Sequence, residues 1–138
     1  MKEKIAVSFP SHPKYLTLVR AVTVRTAQIY GIGEALAEDI KLAVDEACAN
    51  VIKHAYKGDT SKKIVLKYMN SKKQFTVIIE DAGIKADPGS IQGRDLDDLK
   101  PGGLGVHFIR RVFDVFTFDD KKKKGNRLIL TKYHGSEK

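Results

Sequence analysis

Glu46 and Asn50 stand four residues apart within D-I-K-L-A-V-D-E-A-C-A-N-V-I-K-H-A-Y-K, the stretch from Asp39 to Lys57. At about 100° per residue, four residues make roughly one helical turn, so the two side chains project from one edge. A carboxylate and a carboxamide placed together can take up a proton and ligate a metal ion, tasks that a solvated helix face does not need. A second candidate is Asp81, followed by Gly83, at the end of an alternating apolar run. A carboxylate buried there can accept a hydrogen bond from an exocyclic amine, and the glycine leaves room for a flat ring against the backbone. The third is Gly102-Gly103-Leu104-Gly105 ahead of an apolar helical run. Glycines there let an anion approach the unpaired N–H groups of a helix start. Each feature also has an ordinary structural reading: an amphipathic helix with polar shoulders, a turn-forming Asp before Gly, and a turn that needs positive φ.

The elements that must hold these residues follow from periodicity. Leu36, Ile40, Ala43, Val44, Ala47, Cys48, Val51, Ile52 and Ala55 fall in one apolar arc, which predicts a core-packed helix over Asp39–Lys57. Asp39, Glu46, Asn50 and Lys53 share its flank, and His54 falls inside the arc as a core histidine. Lys4–Phe9 reads as a strand, and Tyr15–Ile29 as a first helix after Pro13, with Arg20 and Arg25 projecting and apolar surface to spare. From Lys62 the period becomes two: Ile64, Leu66 and Tyr68 alternate with Val65, Lys67 and Met69, Asn70–Lys73 turns the chain, and Phe75, Val77 and Ile79 return. Ile84–Gly102 is a polar stretch of 19 residues with almost no periodicity, the mark of a functional loop. A helix over Val106–Phe113 and strands at Val115–Phe118 and Leu128–Tyr133 complete an α+β order of two layers.

Composition narrows the class. With 138 residues, 42% apolar and 30% charged, the chain has the size and make-up of one globular domain, residues 1–138. The single cysteine, Cys48, lies in the apolar arc and reads as a small core residue. No zinc spacing occurs. The N-terminus alternates charged and apolar residues, unlike a signal peptide, and no segment approaches a membrane span, so a cytoplasmic protein without membrane attachment is expected. The net charge of +8 comes largely from Lys121–Lys124 and the pairs Lys62-Lys63 and Lys72-Lys73, which sit beside turns. Direct nucleic-acid binding is not expected, since no established nucleic-acid-binding motif accompanies that charge. Neither a P-loop nor a dinucleotide fingerprint is present.

Taken in order, E-x-x-x-N on a helix, D-x-G after a strand, a long loop, G-G-L-G before a helix and G-N-R-L-I-L-T-K on a last strand resemble the ATP-binding GHKL superfamily, which includes gyrase, histidine kinases and MutL. The nearest resemblance is to the small anti-sigma-factor serine kinases of the RsbW type. Their helix signature is similar to Asp45, Glu46, Ala47, Asn50, Lys53, His54, Ala55 and Tyr56 here. The resemblance implies the Bergerat-type two-layer α/β sandwich, with helices on one face of a mixed, mostly antiparallel sheet. It implies ATP and Mg²⁺ as cofactors, with Asn50 as metal ligand and Glu46 as the base that accepts the serine proton. Asp81 would bind the adenine amine, Gly83 would pass beneath the base, and Gly103, Leu104 and Gly105 would form the phosphate turn. Lys53 would reach phosphate, and Asn126 would stand where relatives often have an adenine-holding threonine. The segment from about 84 to 102 would be the ATP lid, with Arg94 its evident arginine. Lys85 departs from the D-x-G-x-G of many relatives. The implied function is an ATP-dependent serine/threonine protein kinase acting as an anti-sigma factor. It would phosphorylate an anti-anti-sigma protein of STAS type, sequester a sigma factor and form a homodimer. The alternative is a non-catalytic ATP-binding module that switches partners.

Overall fold

A computed structural model describes residues 3–86 and 105–134 in full and the backbone of residues 101–104. The chain runs β1 (Glu3–Pro10), α1 (Leu16–Ile29), α2 (Glu34–Asn50), β2 (Lys63–Asn70), β3 (Gln74–Asp81), α3 (Pro101–Val112), β4 (Val115–Phe118) and β5 (Asn126–Tyr133). The strands form one sheet in the order β1-β2-β3-β5-β4. The expected two-layer α+β architecture is present. All described strand pairs are antiparallel, so the mixed, mostly antiparallel sheet resolves into an antiparallel one.

Alternation decides which face is covered. Ile64, Leu66 and Tyr68 of β2, Phe75, Val77 and Ile79 of β3, and Leu128 and Leu130 of β5 are buried with Ala37, Ile40, Ala43, Val44, Ala47 and Cys48 of α2. The opposite face carries an ion-pair chain: Lys67 and Arg127 both meet Glu80, and Arg127 also meets Asp119 at 3.0 Å. Cys48 is buried, as expected, and burial pushes its thiol pKa up, which makes it a poor nucleophile. On α1, Leu18 and Ile29 are exposed, while Arg20 pairs with Asp45 of α2 at 3.0 Å.

The central helix departs from its expected bounds at both ends. It starts at Glu34 rather than Asp39, because Gly33 supplies an extended N-cap and Glu34 places a negative charge at the positive end of the helix dipole. After Asn50 the helix widens into a π turn over Val51–Ala55, with the Tyr56 N–H donating to the Val51 carbonyl at 2.9 Å. Lys57 (φ 53°) and Gly58 (φ 84°) then end it. The residue added to that turn shifts the phase of everything after Asn50. Ile52, Ala55 and Tyr56 stay buried, but His54 turns outward and is exposed beside Lys53, so it is not a core histidine. The last helix also starts early, at Pro101, where a missing N–H costs nothing. Gly102–Gly105 therefore lie inside α3 rather than in a turn ahead of it.

Layer contact includes one fully buried polar pair, the Thr23 and Tyr68 hydroxyls 2.6 Å apart. Tyr68→Phe alone should destabilise the fold by about 1–2 kcal/mol, because the Thr23 hydroxyl is left without its partner. Tyr68→Phe with Thr23→Val should recover most of that loss in urea unfolding. Additive losses in the double variant would show that the hydroxyl pair is not a coupled unit.

Candidate functional site

The end of β3 is organised by a buried acid. Strand register pairs Glu80 with Arg127 on the open face and Asp81 with Asn126 one position later, on the helix side. Asp81 is 5% exposed. Its Oδ1 accepts from the Gly83 N–H at 2.8 Å and from Asn126 Nδ2 at 3.0 Å. Burial raises the carboxyl pKa, and these donors, with Lys122 behind them, pull it back down. Two glycines make the packing around it feasible. A Cβ on Gly83 would lie 2.3 Å from the Ala55 carbonyl oxygen, and one on Gly125 would lie 2.0 Å from the Asp81 carbonyl oxygen, at φ 74°. The Ala55 carbonyl also accepts from the Ile84 N–H at 2.8 Å. Tyr56 adds a third tie: its hydroxyl accepts from the Ala82 N–H at 2.8 Å and donates to the Lys63 carbonyl at 2.5 Å. The sequence placed Tyr56 in the helix signature without a task; its partners lie 7 and 26 residues further along the chain.

Asn126 lies at this site, as expected, but its carboxamide is already engaged. Nδ2 donates to the Asp81 carboxylate and, at 2.9 Å, to the Ile84 carbonyl, while Oδ1 accepts from the Ala86 N–H at 2.7 Å. Lys85, between those two residues, donates from Nζ to the Lys122 carbonyl. The beginning of the expected lid is thus fastened to β5 and to the hairpin before it. Residues 87–100 of that lid, with Arg94, lie outside the described residues, as does the side chain of Leu104; the backbone of Gly103 and Leu104 forms part of the first turn of α3.

The second half of the site lies along α2. Glu46 packs its carboxylate on Gly105: a Cβ there would fall 2.1 Å from Glu46 Oε2, so a larger residue at this position would displace the Glu46 side chain. Burial raises the Glu46 pKa, Lys53 opposes the shift and Asp45 adds to it. One turn on, Asn50 Oδ1 is buried and has no hydrogen-bond partner. An orphaned oxygen of this kind costs about 1–3 kcal/mol unless something meets it. A hard cation fits that donor, and Mg²⁺ takes few protein ligands and keeps its waters. Among the described residues no cluster of three His, Cys, Asp or Glu side chains offers a rival metal site. Lys53 is exposed on the next turn. Glu46, Asn50 and Ala55 therefore lie in sequence along one element, from the Gly105 contact to the Gly83 contact, a span of roughly 13 Å at 1.5 Å per residue.

The buried acid predicts a pH-dependent cost. Because the folded pKa of Asp81 is raised above its unfolded value, ionisation destabilises the fold above the folded pKa, and that cost disappears below the unfolded one. Asp81→Asn should therefore gain stability relative to the parent as pH rises from about 3 to about 7. Urea midpoints of the two proteins across that range measure it, and a difference independent of pH would contradict the assignment.

Comparison with known proteins agrees with this geometry. The histidine kinase-like ATPase domain matches residues 9–132. A serine-protein kinase RsbW of Listeria monocytogenes is 31% identical over 143 aligned positions, covering 96% of this chain and 88% of the relative. The Bacillus subtilis protein of the same name is 28% identical, covering 97% and 88%. One from Bacillus thuringiensis is 25% identical, covering 95% and 85%. The expected resemblance to RsbW-type kinases is borne out, and the chain belongs to the histidine kinase-like ATPase domain family.

Proposed function

We propose that this protein is an ATP-dependent serine/threonine protein kinase that acts as an anti-sigma regulatory factor. The observation that carries the reading is the buried, unpartnered Asn50 Oδ1 one turn from a Glu46 carboxylate seated on Gly105. Asn50 would hold Mg²⁺, which supplies charge neutralisation at the phosphates of ATP when bound. Asp81 would accept the adenine amine, Gly83 would lie beneath the ring, and Gly103, Leu104 and Gly105 would face the phosphates from the start of α3. Lys53, exposed beyond Asn50, would add positive charge there.

Glu46 would act on the acceptor serine. The serine oxygen takes the γ-phosphoryl group from ATP, ADP leaves, and the hydroxyl proton passes to Glu46. Its raised pKa makes the carboxylate a better base at neutral pH than an exposed glutamate. Kinase activity should accordingly rise as pH climbs through a value above the ordinary glutamate range. The names of the relatives support a protein substrate: an anti-anti-sigma protein of STAS type would be phosphorylated and a sigma factor held in the alternative state. The exposed Leu18 and Ile29 of α1 offer apolar surface for a second copy or for such a partner. No described helix is long and apolar enough to cross a membrane, in keeping with a cytoplasmic site of action.

Labelled ATP with a STAS-type acceptor should yield phosphoserine, and Glu46→Gln should lower that rate by about a hundredfold or more while ATP binding persists. Labelling unaffected by Glu46→Gln removes Glu46 as the base. Asn50→Ala should weaken ATP binding in Mg²⁺ and leave it unchanged in EDTA. Equal binding of both proteins under both conditions excludes Asn50 as the metal ligand.

A further inference from the structure

Asn126 was expected to help hold the base, and its hydrogen-bonding groups are directed to protein partners. Its amide orientation is fixed by chemistry: Oδ1 must be the atom that meets the Ala86 N–H, and Nδ2 the one that meets a carboxylate and the Ile84 carbonyl. Both amide protons are therefore committed. The residue is 7% exposed and in register with Asp81 across β3 and β5. Glycine at 125 brings the chain over the Asp81 backbone and so delivers Asn126 to this position.

We infer that Asn126 is a positioning residue: it fixes the Asp81 carboxylate for the exocyclic amine of the base and fastens residues 84–86 to β5, without contacting the base. This rests on the proposal that Asp81 binds adenine. A hydroxyl at position 126 reproduces only part of the arrangement. Threonine can donate its one proton to Asp81, which leaves none for the Ile84 carbonyl, and its oxygen sits one bond short of the carboxamide oxygen that meets the Ala86 N–H. The two tasks of Asn126 are therefore separable by substitution. Threonine should retain the hold on the acid and lose the hold on the segment, and alanine should lose both.

The test compares ATP with the purine riboside triphosphate that lacks the exocyclic amine. For the parent protein, deleting the amine should weaken binding roughly ten- to a hundredfold, the range for a hydrogen bond to a charged group. In Asn126→Ala that ratio should collapse toward one, because Asp81 is no longer held for the amine. In Asn126→Thr the ratio should survive, while the Ala86 amide exchanges with solvent as fast as in Asn126→Ala. If Asn126→Ala weakens both nucleotides equally and keeps the ratio, the side chain touches the nucleotide by another route and the inference fails. It also fails if the ratio and both affinities are unchanged. Absence of an amine effect in the parent itself would instead overturn the assignment of Asp81 to adenine. In that event Ala86 exchange still decides whether Asn126 fastens the segment, since that measurement needs no nucleotide. Thermal unfolding of each variant checks that the fold persists, and Asn126→Thr supplies the comparison should Asn126→Ala not fold.

Discussion

A carboxylate taken out of water at the end of β3 sets the terms for its surroundings. Asp81 can be buried only if hydrogen-bond donors replace the water it loses, and the donors here are the Gly83 N–H and the Asn126 amide. Bringing both within reach forces backbone against backbone. Gly83 presses on the Ala55 carbonyl and Gly125 on the Asp81 carbonyl, and neither place admits a Cβ. The same crowding ties the end of the central helix to the end of the strand, through the Ala55 carbonyl and the Tyr56 hydroxyl. The charged atom and the helix that carries the rest of the site are thus held in one rigid arrangement.

That arrangement makes α2 a spacer between two close contacts. Glu46, in the last turns of α2, rests on Gly105; Ala55, in the π turn that follows, rests on Gly83; and Asn50 lies between them. Asn50 Oδ1, between these contacts, is buried without a partner. A stable fold keeps few such atoms, since each forfeits the free energy of its lost hydration. An orphaned oxygen of this kind is what suits a cation.

Local geometry was legible in the sequence, and long-range coincidence was not. The two-residue period of Ile64, Leu66 and Tyr68 and the four-residue spacing of Glu46 and Asn50 need no knowledge of distant partners, and both appear as read. The D-x-G at a strand end likewise identified a buried acid. The π turn after Asn50 has no residue signature, so a constant 100° advance carried His54 into the core when it faces solvent. The early start of α3 was hidden because Gly102, Gly103 and Gly105 weaken a helix by propensity. At Gly105 the Glu46 carboxylate seats against the bare Cα, so packing there favours the residue that propensity disfavours. The engagement of Asn126 depends on register between β3 and β5 and on a segment forty residues away, neither of which a single strand pattern contains.

Lys85 and Asn126 share one physical setting. Among the described residues only Lys57 combines a side chain with positive φ, so Lys85 occupies ordinary backbone space and a glycine is not needed there. Its side chain is free to reach across to the Lys122 carbonyl, while Asn126 holds the residues on either side of it. A third glycine at position 85 would give the chain more conformations to lose at this point and no side chain with which to hold it. Lysine supplies an anchor on the outer side of the segment and asparagine supplies two on the inner side. The two side chains therefore act in the same direction: both limit the freedom of the first residues after Gly83, next to the buried acid Asp81.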